Sequence, residues 1–571
     1  MLDVKAVLDA CLNELSKEYE IEEVDNIPQL ELHRSGIWKI QIPALVLGKA
    51  EDVEAYILFP NDFPYSMPYV IILDDRFKYL PHISLKSRNL CLYEDGVVYD
   101  AENIEGLIRD NIDRTKKWIE YYYSRDNSDE YAKEIRNYWS EQYDGEPKIN
   151  DCWVLLGDIP VNTCEMIGVT YIKKNLRNGN TYRMNIVASD KERPIIRVIK
   201  SHHKTSDIHV LYIASLKTPN VPPFSMMGQD IIDRISGDDD KKIFRKYLNR
   251  FGNLNVLFPI GLNYALGGVH ISDLKVNRNG YRNGTLTPFK VLTAFENKNK
   301  KLKRLHISVY SGLRIAERTA GELMKERFFL VAGLGSIGSN LCYYLNGYNN
   351  AVFTLTDGDY LSVDNIGRHL LGFEYISQYK SYAVAHYLLQ YRPDRKVQAL
   401  QKDLQQLKEE EINKASAIFV CTGDVMSEKW LIEKMNEGSI KKPAFILWLE
   451  PYGISGIMIY INPEDKESTE RLREKANSCF IEFCLIEKDE YDGEKLTKRD
   501  AGCNGSYSLY SANDVTLFLS SIFPIIDRLI EQPSKSKCYR WVGNTNLAKE
   551  KGINLVTSEE LSKNTLQELT I

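Results

Sequence analysis

The opening MLDVKAVLDACLNEL places apolar residues at Val4, Val7, Leu8, Cys11, Leu12 and Leu15, the three-and-four spacing of one helix face. Acids are mixed into that stretch, so it does not read as the basic leader and apolar core of a secretory signal. Short alternating runs follow (IWKIQIPALVL, EAYILFP, PYVIIL) and predict strands. A Pro-punctuated loop from Phe59 to Pro68 interrupts them. From Asp100 to about Tyr143 the pattern is helical, with Ile104, Leu107, Ile108, Ile112, Trp118 and Ile119 on the apolar side. Helix, meander, then helices predict an α+β domain over residues 1–145. Residues 146–305 form a mixed α/β middle block, largely strand-like, with loops rich in Asn and Gly and no motif that carries chemistry. Adjacent His202 and His203 read as a solvated loop, and the basic run Lys298 to Arg304 as an exposed linker. Residues 306–545 alternate strands and helices, as a parallel α/β sheet does, and 546–571 read as a polar tail or peripheral helix.

Composition narrows the function classes. A chain of 571 residues has room for roughly three or four domains. With 73 basic against 79 acidic residues the net charge is −6, so no basic field invites nucleic acid or an anionic membrane. No apolar run approaches the ~18 residues of a membrane span. Ten cysteines contain no CxxC pair, which argues against a zinc knuckle or a disulfide framework. Free thiols and the absence of a leader pattern predict a cytoplasmic protein.

Chemistry concentrates in the third block. The run RFFLVA (327–332) reads as a buried strand entering Gly333-Leu-Gly335-Ser-Ile-Gly338, after which SNLCYYL continues as a helix. A second strand, Ala351 to Thr356, ends in Asp357. Strand, tight Gly turn and helix N-terminus suit a nucleotide's phosphates, and the acid suits ribose hydroxyls. The following residues favour ATP over NAD. Asp359, Asn365, Arg368, His369 and Lys380 come next, and Asp424 leaves a later strand (AIFVCTGD). Arg368 and Lys380 would neutralise a triphosphate and Asp424 would hold Mg2+, an arrangement for attack on an α-phosphate that hydride transfer does not need.

This block resembles the adenylation domain of ubiquitin-activating enzymes and their bacterial ThiF-family relatives, a Rossmann-like α/β fold. Gly333, Gly335, Gly338, Asp357, Asp359, Asn365, Arg368, Lys380 and Asp424 match that pattern position by position. His369 departs from it, since the family usually carries Gln there. The missing CxxC pairs point away from the zinc-bearing sulfur-transfer branch. The resemblance further implies a homodimer, with Arg314 or Arg318 reaching the partner protomer's ATP.

Two cysteines are candidates to carry an acyl group. Cys503 lies in a small, polar loop (RDAGCNGS), and the residues alone leave it open between a nucleophile and a loop cysteine without a role. The family resemblance makes it the thioester cysteine. Cys479 and Cys484 alternate with apolar residues and read as packed. The first 145 residues are similar to the ubiquitin-conjugating fold, which makes Cys91 the acceptor cysteine of a transthiolation. There His82-Ile83-Ser84 replaces the usual His-Pro-Asn, so Asn89 or a backbone amide would have to stabilise the oxyanion, and His82 reads as structural.

Both halves together resemble the bacterial conjugating–activating fusions of cyclic-oligonucleotide anti-phage signalling (CBASS) operons. That resemblance implies adenylation of a protein modifier's C-terminus with ATP and Mg2+, a thioester on Cys503, transfer to Cys91 and ligation to a target lysine. The modifier comes in trans and by analogy is a cyclic-nucleotide synthase (CD-NTase). The alternatives are a sulfur-carrier adenylyltransferase of the ThiF or MoeB type and an ATP-binding interaction protein.

Overall fold

The computed structural model describes residues 4–27, 30, 32–94, 96–143, 145–147, 151–174, 179–189, 193–261, 265–276, 281–282, 285–492, 495–499, 506–557 and 561–571. Two compact units emerge, Met1–Asp190 with Lys204–Val309, and Lys191–His203 with Tyr310–Ile571.

In the first unit the expected opening helix spans Val4–Leu15. Four antiparallel strands follow, β1 (Ile21–Ile27), β2 (Leu32–Val46), β3 (Lys49–Leu58) and β4 (Tyr69–Ile71), paired in sequence order. Along β2, Trp38, Ile40, Ile42, Ala44 and Val46 are buried at alternate positions, the period-two signature of a sheet with one wet face. The helix Ile104–Tyr123 covers the buried face with Leu107, Ile108, Ile112, Trp118 and Ile119, and Asn103 caps it by accepting from the Gly106 N–H at 3.0 Å. Two short helices, Ser128–Lys133 and Ile135–Ser140, extend this domain.

The middle block is a closed seven-stranded barrel. Its strands are β5 (Cys152–Leu156), β6 (Cys164–Lys174), β7 (Thr181–Ala188), β8 (Thr205–Tyr212), β9 (Leu254–Pro259), β10 (Leu266–Ile271) and β11 (Lys303–Tyr310), ordered β10-β11-β5-β7-β6-β8-β9. The basic run at 298–304 is not the exposed linker its composition suggests. Arg304 is 1% exposed, pairs with Glu146 at 2.7 Å and donates to the Trp139 carbonyl. A buried guanidinium is tolerated here because each of its nitrogens meets an acceptor while its faces meet the Trp139 and Tyr143 rings.

The second unit is built on an eight-stranded sheet. Its strands are β12 (Arg327–Ala332), β13 (Ala351–Thr356), β14 (Lys396–Leu400), β15 (Ala417–Val420), β16 (Ala444–Leu449) and β17 (Ser455–Ile461), completed after a small ribbon of β18 (Thr497–Arg499) and β19 (Ser506–Ser508) by β20 (Lys537–Val542) and β21 (Leu566–Leu569). The order is β14-β13-β12-β15-β16-β17-β20-β21, parallel through β16 and antiparallel beyond. From β12 the chain builds outward to β14, then returns to place β15 on the other side. That reversal opens a crevice at the carboxyl ends of β12 and β15, where ligands bind such sheets. Residues 546–571, expected as a tail or peripheral helix, begin in a short helix, Thr545–Lys551, and then contribute β21 as the edge strand, with Ile571 buried. His202 and His203 are exposed, but not in the expected loop: His202 ends the helix Pro194–His202, and its ring stacks on that of His386 at 4.2 Å. Among the described residues no helix is long and apolar enough to cross a membrane.

Candidate functional site

The crevice begins with three glycines, of which the fold itself requires two, Gly333 and Gly338. Gly333 has φ +80°, and a Cβ there would stand 2.6 Å from the Thr422 nitrogen. A Cβ on Gly338 would lie 1.9 Å from the Gly333 carbonyl oxygen, so the helix can start close to its strand only with glycine. A Cβ on Gly335 would meet no protein atom within 4 Å, and the residue has φ −72°. It caps the helix Ser336–Leu345 without a side-chain cap, leaving amides open to an anion.

Asp357, nearly buried at the end of β13, braces this loop, accepting from the Leu334 N–H at 2.6 Å and the Asp359 N–H at 2.8 Å. Burial pushes its carboxyl above the usual range, and Lys380 opposes the shift. Lys380 Nζ pairs with Asp359 at 2.9 Å. His369 takes up the Gln position of the pattern in a defined tautomer. Leu371 N–H donates to its Nδ1 at 3.0 Å, so Nε2 carries the proton and donates to the Leu334 carbonyl at 2.8 Å. A Gln amide also donates and accepts, which accounts for the replacement. Burial lowers the imidazole pKa to about 4, keeping it neutral.

A cavity of about 660 Å³ opens along the crevice, lined among others by Gly335, Asn365, Arg368, Glu428, Trp448 and Tyr510. Arg368 donates to the Ser508 carbonyl at 2.7 Å and lies over the Tyr510 ring at 4.5 Å, while Tyr510 and Ser336 hydroxyls meet at 2.7 Å. Asn365 Oδ1 accepts from the Ser362 N–H, which leaves its amide for the cavity. Asp424 caps the helix Val425–Asn436, accepting from the Met426 and Ser427 amides, both at 3.1 Å, and from the Ser427 hydroxyl at 2.6 Å. These bonds hold its carboxyl below the usual range. A carboxylate has more lone pairs than three donors occupy, so Asp424 fits a hard cation. The cavity therefore takes in Gly335, Asn365 and Arg368, while Asp357, Asp359 and Lys380 form a second cluster at the end of β13.

Sequence reasoning passed over Glu428, which is 3% exposed, lines the cavity, and is pushed up to about 7 by burial and by Asp424. It also misplaced Cys479, which is exposed on the cavity wall in the left-handed region, whereas Cys484 is buried as expected. Glu450 is fully buried, accepting from Leu485 and Ile486 amides, the Tyr491 hydroxyl and the Ser455 hydroxyl. Cys503 falls outside the described residues. The strands flanking it in sequence, β18 and β19, pair through Arg499 and Ser506, and Thr497 and Ser508 line the cavity.

In the first unit, Cys91 is exposed in a groove of about 690 Å³ shared with His82, Asn89, Glu134, Tyr138 and Glu141. Cys91 N–H donates to the His82 carbonyl at 2.8 Å, so that amide is committed and cannot serve an oxyanion. His82 has φ +62°, and its N–H donates to the Tyr138 hydroxyl at 2.9 Å. Tyr138 in turn donates to Glu134 at 3.1 Å, and the His82 ring lies 3.3 Å from the same carboxyl. Ser84 closes a tight turn by accepting from Arg88 and Ser87. Asn89 lines the groove with its Oδ1 buried and, among the described residues, without a hydrogen-bond partner.

Residues 29–146 match prokaryotic E2 family B, and residues 313–491 match the ThiF family. The chain is thus a fusion of an E2-like domain with a ThiF-family, Rossmann-like adenylation domain. No curated protein matches it. A crystal structure of PaaA aligns with 13% identity and a TM-score of 0.28, covering 38% of this chain and 69% of that one. The structure of Escherichia coli MccB with ATP aligns with 13% identity and a TM-score of 0.27, and this chain spans 61% of its length.

Proposed function

We propose that the protein activates the C-terminus of a protein modifier and ligates it to lysine, working in the cytoplasm. The modifier's carboxylate attacks the α-phosphorus of ATP, a P–O bond to pyrophosphate breaks, and an acyl adenylate forms. Arg368 and the open amides after Gly335 neutralise the phosphates, and Asn365 positions them. Mg2+, held by Asp424, would offset charge on the leaving pyrophosphate. The Cys503 thiolate then displaces AMP, the Cys91 thiolate takes the acyl group, and a lysine amine displaces Cys91 to leave an amide. By the operon resemblance the modifier is a cyclic-nucleotide synthase primed in anti-phage defence, and the enzyme works as a homodimer.

The observation that carries this reading is the pairing, in one chain, of a glycine-lined anion crevice with an exposed cysteine in an E2-like groove. Modifier-dependent ATP–pyrophosphate exchange tests it. The wild type should exchange, Cys503→Ala should still exchange but form no thioester, and Cys91→Ala should form the first thioester yet ligate nothing. Full biological activity of Cys91→Ala with no ligated product would leave Cys91 idle and favour sulfur-carrier chemistry instead.

A further inference from the structure

Glu428 has no part in the scheme above, yet its surroundings call for a ligand. It stands one turn into the helix Val425–Asn436 that Asp424 caps, near enough for the two carboxyls to repel each other. Its side chain is 3% exposed and lines the crevice cavity. Among the described residues no group hydrogen-bonds its carboxyl, and the charged group that acts on it is Asp424, of like sign. A carboxyl carried into the interior needs a donor or a cation. Arg368 and Lys488 also line the cavity, but neither acts on Glu428, and Arg368 is engaged with Ser508 and Tyr510. A cation that arrives with the ligand would supply the compensating charge and hold the carboxyl ionised.

Two carboxyls on one helix turn, beside a loop built to receive phosphates, match the way Mg2+ is held. That ion takes one or two protein carboxylates and fills its remaining positions with phosphate oxygens and water. We propose that Glu428 is a protein ligand of the divalent cation that accompanies the nucleotide, with Asp424 as its companion one turn earlier. The inference rests on the reading of the crevice as an ATP site.

The test is Mn2+ binding to the full-length protein with the non-hydrolysable analogue AMPPCP, counted from the electron paramagnetic resonance signal of free Mn2+. Glu428→Gln keeps the side-chain volume and should weaken Mn2+ binding in the ternary complex by at least ~10-fold. Its metal-free affinity for AMPPCP should stay within about twofold of wild type. Glu428→Asp keeps the charge but withdraws it by one methylene, and it too should weaken Mn2+, which covers the case of a misfolded Gln variant. Wild-type Mn2+ affinity in both variants, with loss in Asp424→Asn alone, overturns the assignment and leaves the carboxyl for a cationic side chain of the modifier. A wild-type protein that binds no AMPPCP, with or without Mn2+, removes the adenylation reading itself and this inference with it.

Discussion

The crevice and the cysteine groove solve the problem of holding a reactive group in opposite ways. In the crevice, recognition is a property of backbone. Three glycines set the loop, Asp357 and His369 brace it through main-chain hydrogen bonds, and the helix start faces open space. In the groove, recognition is built from side chains distant in sequence. Cys91 is fixed through the His82 carbonyl, His82 through Tyr138, and Tyr138 through Glu134, which lies 43 positions after Cys91. Local backbone constraint leaves a compact motif, whereas a relay of side chains leaves scattered residues.

If that contrast holds, the largest effect should come from removing charge at the crevice. Arg368→Ala should lower ATP–pyrophosphate exchange by ~100-fold or more with little change in thermal midpoint, because its role is electrostatic. Next come the glycines, which separate architecture from ligand approach. Gly338→Ala must displace the Gly333 carbonyl and should destabilise the second unit by ~1–3 kcal/mol in urea unfolding. Gly335→Ala should leave stability unchanged but weaken AMPPCP binding by at least ~10-fold, the equivalent of ~1.4 kcal/mol. Equal stability losses in both variants would mean that Gly335 is architectural and the loop is not shaped for a ligand.

A smaller effect is expected from pH. His369 is held neutral, its pKa lowered from 6.5 to about 4, so above pH 6.5 it costs the folded state nothing. As pH falls from 6.5 towards 4 the unfolded chain takes up a proton that the folded one refuses, and stability drops, by roughly 2 kcal/mol at pH 5. His369→Gln should flatten that acid limb while preserving both hydrogen bonds. Unfolding curves at pH 7 and 5 on the two proteins check it. The smallest effect should come from the groove, where Tyr138→Phe removes one buried hydroxyl and should cost ~1 kcal/mol while slowing ligation more than thioester formation on Cys503.

The same contrast explains how much of the protein was legible in its sequence. The opening helix falls where its three-and-four spacing places it, and β12 and β13 fall where short apolar runs place them, β12 buried at four consecutive positions and β13 at alternate ones before its end. The Gly loop and its braces were legible because backbone geometry restricts which residues fit. Glu428 and the relay through Glu134 were not, since no spacing rule links a buried carboxyl to a cavity assembled from other elements. The 298–304 run misled for a related reason. Charge suggests solvent, but Arg304 is buried against Glu146, a partner distant in sequence. Cys479 shows the converse, an alternating apolar context around a residue whose left-handed backbone turns it onto the cavity.

The most direct test of the central claim, that both halves act on one acyl group, is Cys91→Lys purified from cells carrying the neighbouring genes. An amine at that position should convert a transient thioester into a stable isopeptide bond. Mass spectrometry should then find a branched peptide joining position 91 to the C-terminus of another protein, and its sequence would name the modifier. An unmodified position 91 in a protein whose Cys503 still forms an ATP-dependent thioester would contradict the account, removing the E2-like groove from the reaction.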